Sequence, residues 1–190
     1  MRNYKKIFNK KSVIKNIFLL TLLFPIVPFK QDLVKAGLEF QWNQDSNYRR
    51  LSWFQRTPQK RAKNTIFFFL KPSERKTGFL SINIKIPDRL RSSIKTKNVS
   101  LCKVNIGGFD SRTKCLENIP SDVEVDKETN KVNIYPINPV PSSKDSYAIV
   151  FKLINPQRAG LYQFHSFGKS SGPIPVSTYL GSWTIKIEEQ

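Results

Sequence analysis

The stretch Phe79-Leu80-Ser81-Ile82-Asn83-Ile84-Lys85-Ile86 constrains this chain more than any other. Leu80, Ile82, Ile84 and Ile86 fall on one face; Ser81, Asn83 and Lys85 fall on the other. A β-strand sends successive side chains to opposite faces, so this period of two predicts a strand with one face on a core and one toward water. Pro87, with no amide hydrogen to offer a neighbour, ends it. Strands are also predicted over residues 147–153 and 183–187, the second with Trp183, Ile185 and Ile187 inward. Shorter candidates cover 66–70, 99–106, 116–119, 122–126, 131–135 and 161–167.

Two connections are legible. Val123-Glu124-Val125-Asp126 and Lys131-Val132-Asn133-Ile134 flank Lys127-Glu128-Thr129-Asn130, whose polar residues tolerate tight backbone angles, and the whole reads as a hairpin. Gly107-Gly108 reads as another hairpin turn; a phosphate-cradling loop would need more glycines and a following helix. The one helix candidate is a single turn over Asp88–Ser93, with Asp88 as its cap. Prolines 136, 139, 141, 156, 173 and 175 fall between strands. Short strands with proline-rich connections predict an all-β fold, an immunoglobulin-like or related antiparallel β-sandwich.

This fold begins after a segment of another character. Arg2, Lys5, Lys6, Lys10, Lys11 and Lys15 precede an apolar run over 17–29, and Leu33-Val34-Lys35-Ala36 precedes Gly37. Basic head, short apolar core and small residues at the last and third-last positions make a secretory signal, with cleavage expected after Ala36. The rival is a retained membrane anchor, but spanning a bilayer takes roughly 20 apolar residues. The run is shorter, and Pro25 and Pro28 break its end. The expected organisation is therefore a signal peptide over 1–36 and one β-sandwich domain over 37–190. The expected destination is outside the cytoplasm, in the periplasm or the cell envelope.

The formal net charge is +18. The signal segment holds eight of the cations and one of the anions, which leaves +11 on the domain. Such a surface attracts polyanions or serves solubility. Outside the cytoplasm nucleic acid is not the expected partner; acidic polysaccharides and lipid headgroups are. An oxidising destination also makes the two cysteines, Cys102 and Cys115, a disulfide candidate. Two cysteines without neighbouring histidine give no zinc spacing.

The basic character concentrates between Ser46 and Ser73, which holds no acidic residue. Arg49, Arg50, Arg56, Lys60, Arg61 and Lys63 lie there with Trp53, a combination suited to anionic or sugar-like ligands. These seven are the candidate ligand-binding residues. The competing reading is a solvated loop whose aromatics anchor it to the core. Asp122, Glu124, Asp126 and Glu128 could gather calcium, but Val123 and Val125 opposite them make an ordinary amphipathic strand, without the glycine of a calcium loop. His165, the only histidine, reads as structural. Asn98-Val99-Ser100 matches a glycosylation sequon, which needs a eukaryotic secretory route. The inventory for acid–base or nucleophilic chemistry is thin, although carboxylates from distant strands could still pair. No cofactor and no metal are expected.

A further pattern occupies the second half. Val132-Asn133-Ile134-Tyr135-Pro136 runs into Asn138-Pro139-Val140-Pro141. Asn155-Pro156-Gln157-Arg158-Ala159-Gly160-Leu161-Tyr162-Gln163-Phe164 follows the next strand, and Tyr179-Leu180-Gly181 precedes the last. Together these resemble the cyanobacterial exported proteins that carry domain of unknown function 2808, over roughly residues 38 to 189. The chain departs from that pattern in its cysteine pair and its more basic surface. The resemblance implies an exported single domain, adds the thylakoid lumen to the expected destinations, and supplies no catalytic residues. The expected function is a non-enzymatic envelope module that binds an anionic component. The alternatives are a structural or adaptor protein with a protein partner, or a carboxylate-based hydrolase of envelope polymers.

Overall fold

The structure, a computed structural model, describes residues 49–75 and 77–189. The predicted signal segment and the cleavage position at Ala36 lie outside the described residues. Among the described residues ten strands form two antiparallel sheets. They are β1 (Trp53–Gln55), β2 (Lys63–Leu70), β3 (Phe79–Lys85), β4 (Val99–Asn105), β5 (Lys114–Ile119), β6 (Ser121–Asp126), β7 (Lys131–Pro136), β8 (Tyr147–Ile154), β9 (Gly160–Ser170) and β10 (Ser177–Ile187). The first sheet runs β1-β2-β8-β4-β5 and the second β10-β9-β3-β7-β6. The predicted antiparallel β-sandwich is the observed architecture.

The core lies between the inner faces. Phe68 of β2 stacks on Trp183 of β10, with ring centroids 4.7 Å apart. It also meets Phe164 of β9 at 4.7 Å and Phe151 of β8 at 5.4 Å. Four fully buried aromatics from both sheets thus form one cluster, and ring–ring contacts of this kind add about 0.5–1.5 kcal/mol each beyond burial. The indole Nε1 of Trp183 donates to the Phe69 carbonyl (3.2 Å), tying the sheets across the core. A smaller buried cluster on the outer face of the first sheet holds Phe67, Phe69, Val104, Ala148, Val150 and Cys102. Cys102 is bridged to Cys115, which staples β4 to β5 with a Cα–Cα distance of 5.7 Å.

Two local readings are corrected. Leu80 is 37 % exposed, whereas Phe79 is 3 % exposed. A register shift between Phe79 and Ser81 against β9 inserts an extra residue, so the alternation changes phase at the start of β3 and Phe79 takes the inward position. Asp88–Ser93 is a 3-10 turn, and Asp88 does not cap it; its carboxylate accepts from the Asn130 side chain instead. The predicted hairpin is the β6–β7 pair. Asp126 accepts amide hydrogens from Glu128 (2.8 Å) and Thr129 (3.0 Å), and Asn130 takes a left-handed φ of 55°. Hydrogen bonds from Thr129 hold the Asp126 carboxyl below its usual range.

The chain enters beside its own last strand. The Leu51 amide donates to the Ser182 carbonyl (2.8 Å), and the Ser182 amide donates to the Arg49 carbonyl (2.7 Å). Gly181 permits this. Its φ is +144°, and a Cβ there would lie 2.6 Å from the Leu51 side chain and 2.7 Å from the Arg49 carbonyl oxygen.

Candidate functional site

One end of the sandwich carries a cleft of about 1090 Å³. Strand register explains its floor. Lys63 pairs with Ile154 and Thr65 with Lys152, so these four alternate onto the outer face of the first sheet, in phase with outward Phe67 and Val150. The turns between β3 and β4 form one wall with Arg89, Ser92, Ser93, Lys95 and Asn98; the β8–β9 connection and Arg61 form the other. Arg61, Lys63, Arg89, Lys95, Lys152 and Arg158 all line it, and no Asp or Glu does. Among the described residues none of these six cations forms an ion pair.

A polar network fixes the second wall. Asn64 and Asn155 are both buried, and the Asn64 Nδ2 donates to the Asn155 Oδ1 (3.0 Å). The Asn155 Nδ2 donates to the carbonyls of Thr57 (2.9 Å) and Gln59 (2.7 Å), while the Thr57 amide donates to the Asn64 Oδ1 (3.1 Å). The Asn155 amide donates to the Ala62 carbonyl (2.9 Å), and the Arg61 amide to the Pro156 carbonyl (3.3 Å). Residues 57–62 are thereby clamped to the β8–β9 connection. Farther along, the Tyr162 hydroxyl donates to the Arg158 carbonyl (2.7 Å), and Gly160 takes φ +144°. The Asn-Pro…Gly-x-Tyr run of the sequence is thus the scaffold of this wall.

Electrostatics make the cleft receptive to anions. On adjacent strands, diagonal residues such as Lys63 and Lys152 sit about 7–8 Å apart. Two like charges at that distance repel by about 0.6 kcal/mol even in water. Six cations without a carboxylate make the field in the cleft positive, and an anion placed there would offset it.

Of the seven residues singled out by sequence, Arg61 and Lys63 line the cleft and the other five lie elsewhere. Arg49 donates to the Ser73 carbonyl (2.8 Å) and weakly to that of Glu74 (3.4 Å). Arg50 is exposed beside Ser182. Trp53 packs partly buried against the central core. The Arg56 guanidinium lies 6.0 Å from the Phe67 ring centroid, and Lys60 pairs with Glu189. Sequence reading missed Arg89, Lys95, Lys152 and Arg158.

His165 is half-buried. Its Nδ1 lies 2.8 Å from the Ser182 Oγ, which also meets the Tyr179 hydroxyl at 2.6 Å. Ser182 is fully buried, so solvent does not reach its hydroxyl. Burial and the Lys85 charge lower the His165 pKa. Among the described residues no three His, Cys, Asp or Glu side chains gather into a possible metal site, Asp122, Glu124 and Asp126 included.

Fold and cleft define the class: a two-sheet β-sandwich with a carboxylate-free basic cleft. The chain belongs to the family described as "Protein of unknown function (DUF2808)", which matches residues 40–187. No curated protein matches the sequence. Similar solved structures include BslA, a bacterial hydrophobin, at 13% identity and TM-score 0.45, covering 75% of this chain and 97% of that one. The collagen-binding domain of a Staphylococcus aureus adhesin is similar at 13% identity and TM-score 0.40, covering 72% and 96%. The human F-spondin reeler domain is similar at 11% identity and TM-score 0.37, covering 76% and 96%.

Proposed function

We propose that this protein is an exported, non-enzymatic envelope module that holds an acidic polysaccharide across the cleft. The observation that carries the reading is the convergence of six cations, from three separated segments and without an ion pair among the described residues, on one cleft without a carboxylate. Arginine grips carboxylate or phosphate with paired hydrogen bonds, and the lysines add field without demanding one geometry. The basic, short apolar N-terminal segment favours export. A carboxylate hydrolase would need two acids in a cleft, and this one offers none. An adaptor role has one supporting observation: β5 is an edge strand exposed along nearly its whole length.

The test is retention of the full chain on an immobilised acidic polysaccharide, with Arg89→Glu, Lys95→Glu and Lys152→Glu variants. All three positions are exposed, so the fold tolerates the change. Retention should weaken as salt rises, and each reversal should cut affinity by about tenfold. No retention, or retention indifferent to salt and to the reversals, refutes the reading.

A further inference from the structure

At the end of the sandwich opposite the cleft, two stiff hairpins present apolar side chains to solvent. Leu70 pairs with Tyr147, and Lys103 also pairs with Tyr147, so the β4–β5 turn projects from the end remote from Lys63 and Ile154. In the second sheet, Phe79 pairs with Ser170 and Lys169 with Ser177, which sends the β9–β10 turn to the same end. The β4–β5 tip carries Phe109, fully exposed; the β9–β10 tip carries Ile174, 76 % exposed, and Val176.

Both tips are braced. The Gly107 amide donates to the Thr113 Oγ1 (3.0 Å) and the Gly108 amide to the Ser111 carbonyl (3.0 Å), above the disulfide. Ile174 sits between Pro173 and Pro175, and the Val176 amide donates to the Ile174 carbonyl (2.9 Å). Single exposed apolar residues are ordinary on protein surfaces. Two tips held by local hydrogen bonds at one end are another matter, because those bonds oppose a rearrangement that would bury the side chains.

We propose that this end docks on an anionic lipid bilayer, with Phe109 and Ile174 entering the interface. The tips come from different sheets and from hairpins several strands apart, so they form two separate contact points rather than a pocket. Arg112, Lys114, Lys144 and Lys169 are exposed at this end and form no ion pair among the described residues. Asp110 is the carboxylate next to Phe109, and Asp145 is held by Lys103 at 2.9 Å. Glu74 also lies at this end, in the turn after β2, yet the cations outnumber the carboxylates, and apolar tips on a basic end match a bilayer with anionic headgroups. This site is separate from the cleft and stands whether or not the cleft binds polysaccharide.

The experiment reads depth locally, so that the apolar run over 17–29 does not confuse it. Tryptophan is placed in the full chain at Phe109, at Ile174, or at Ile154 on the cleft end. Each variant is mixed with vesicles of brominated phosphatidylcholine, alone or with phosphatidylglycerol. Tryptophans at 109 and 174 should be quenched beyond the parent protein and blue-shifted on the anionic vesicles, and tryptophan at 154 should not. Phe109→Asp in the Ile174→Trp background should weaken that quenching by about tenfold. Equal quenching at all three positions, quenching confined to 154, or none at any position would overturn the proposal. Confinement to 154 would assign lipid to the cleft instead.

Discussion

Asn155→Ala tests whether the asparagine clamp, rather than local charge, builds the cleft. The side chain is 2 % exposed and makes three hydrogen bonds, two to carbonyls of Thr57 and Gln59 and one from Asn64. Water can reach Gln59, which is exposed, so the two carbonyl bonds are worth about 1 kcal/mol each. The Asn64 Nδ2 is different: it is buried at 4 % exposure and loses its partner, at a cost of about 1–3 kcal/mol. The expected loss is about 3–5 kcal/mol, a large share of the roughly 5–15 kcal/mol that holds a domain. Urea unfolding measures it. Adding Asn64→Ala removes the orphaned donor, so the double variant should be about 1–2 kcal/mol less destabilised than the two singles together. Polysaccharide retention should fall as well, although no charge has changed, because residues 57–62 lose both side-chain bonds from Asn155 and keep only the Asn64 contact and the backbone bonds. A loss below about 1 kcal/mol, or strict additivity with Asn64→Ala, would refute the clamp.

Replacing both cysteines by alanine should lower stability by about 3 kcal/mol, read from the urea midpoint, because the cross-link closes a loop of modest length; an unchanged midpoint would remove the disulfide from the stability argument. His165 supplies a pH signature. Its folded pKa lies below the ordinary 6.5, so the unfolded chain takes up the proton first; the stability it contributes is complete above pH 6.5 and is lost as pH falls through the folded value. His165→Gln should therefore flatten the decline of Tm between about pH 7 and pH 5, and a variant with the parental slope would contradict this.

The strands were legible because burial on one face forces period two, and the inward set Trp183, Ile185 and Ile187 is as the alternation requires. Leu80 was misread because a bulge depends on the partner strand: nothing in Phe79-Leu80-Ser81 announces that β9 shifts register there. β1 escaped for another reason. It is three residues long and lies among arginines, so its alternation is too brief to stand out. The cleft was legible only in part. A run without acids can be read along a chain, and Arg61 and Lys63 came from it. Arg89, Lys95, Lys152 and Arg158 meet them only through the sheet's register and the turns before β4, which no local composition encodes. Asn155 offered a signal, since the Asn-Pro motif stood out, but its hydrogen-bonding role needs Thr57 and Gln59, nearly 100 positions away.

The glycine that lets the chain enter beside its last strand also sets a timetable. A polypeptide emerging amino end first, from a ribosome or through a translocation channel, delivers Leu51 long before Ser182, yet each supplies the other's backbone partner. β2 likewise waits for β8, and Phe68 for Trp183. The first sheet lacks its central strand until β8 arrives, and the second lacks β9 and β10 until later still, since contacts so distant along the chain form late. Such a domain stays threadable during synthesis and becomes compact when its final strand arrives.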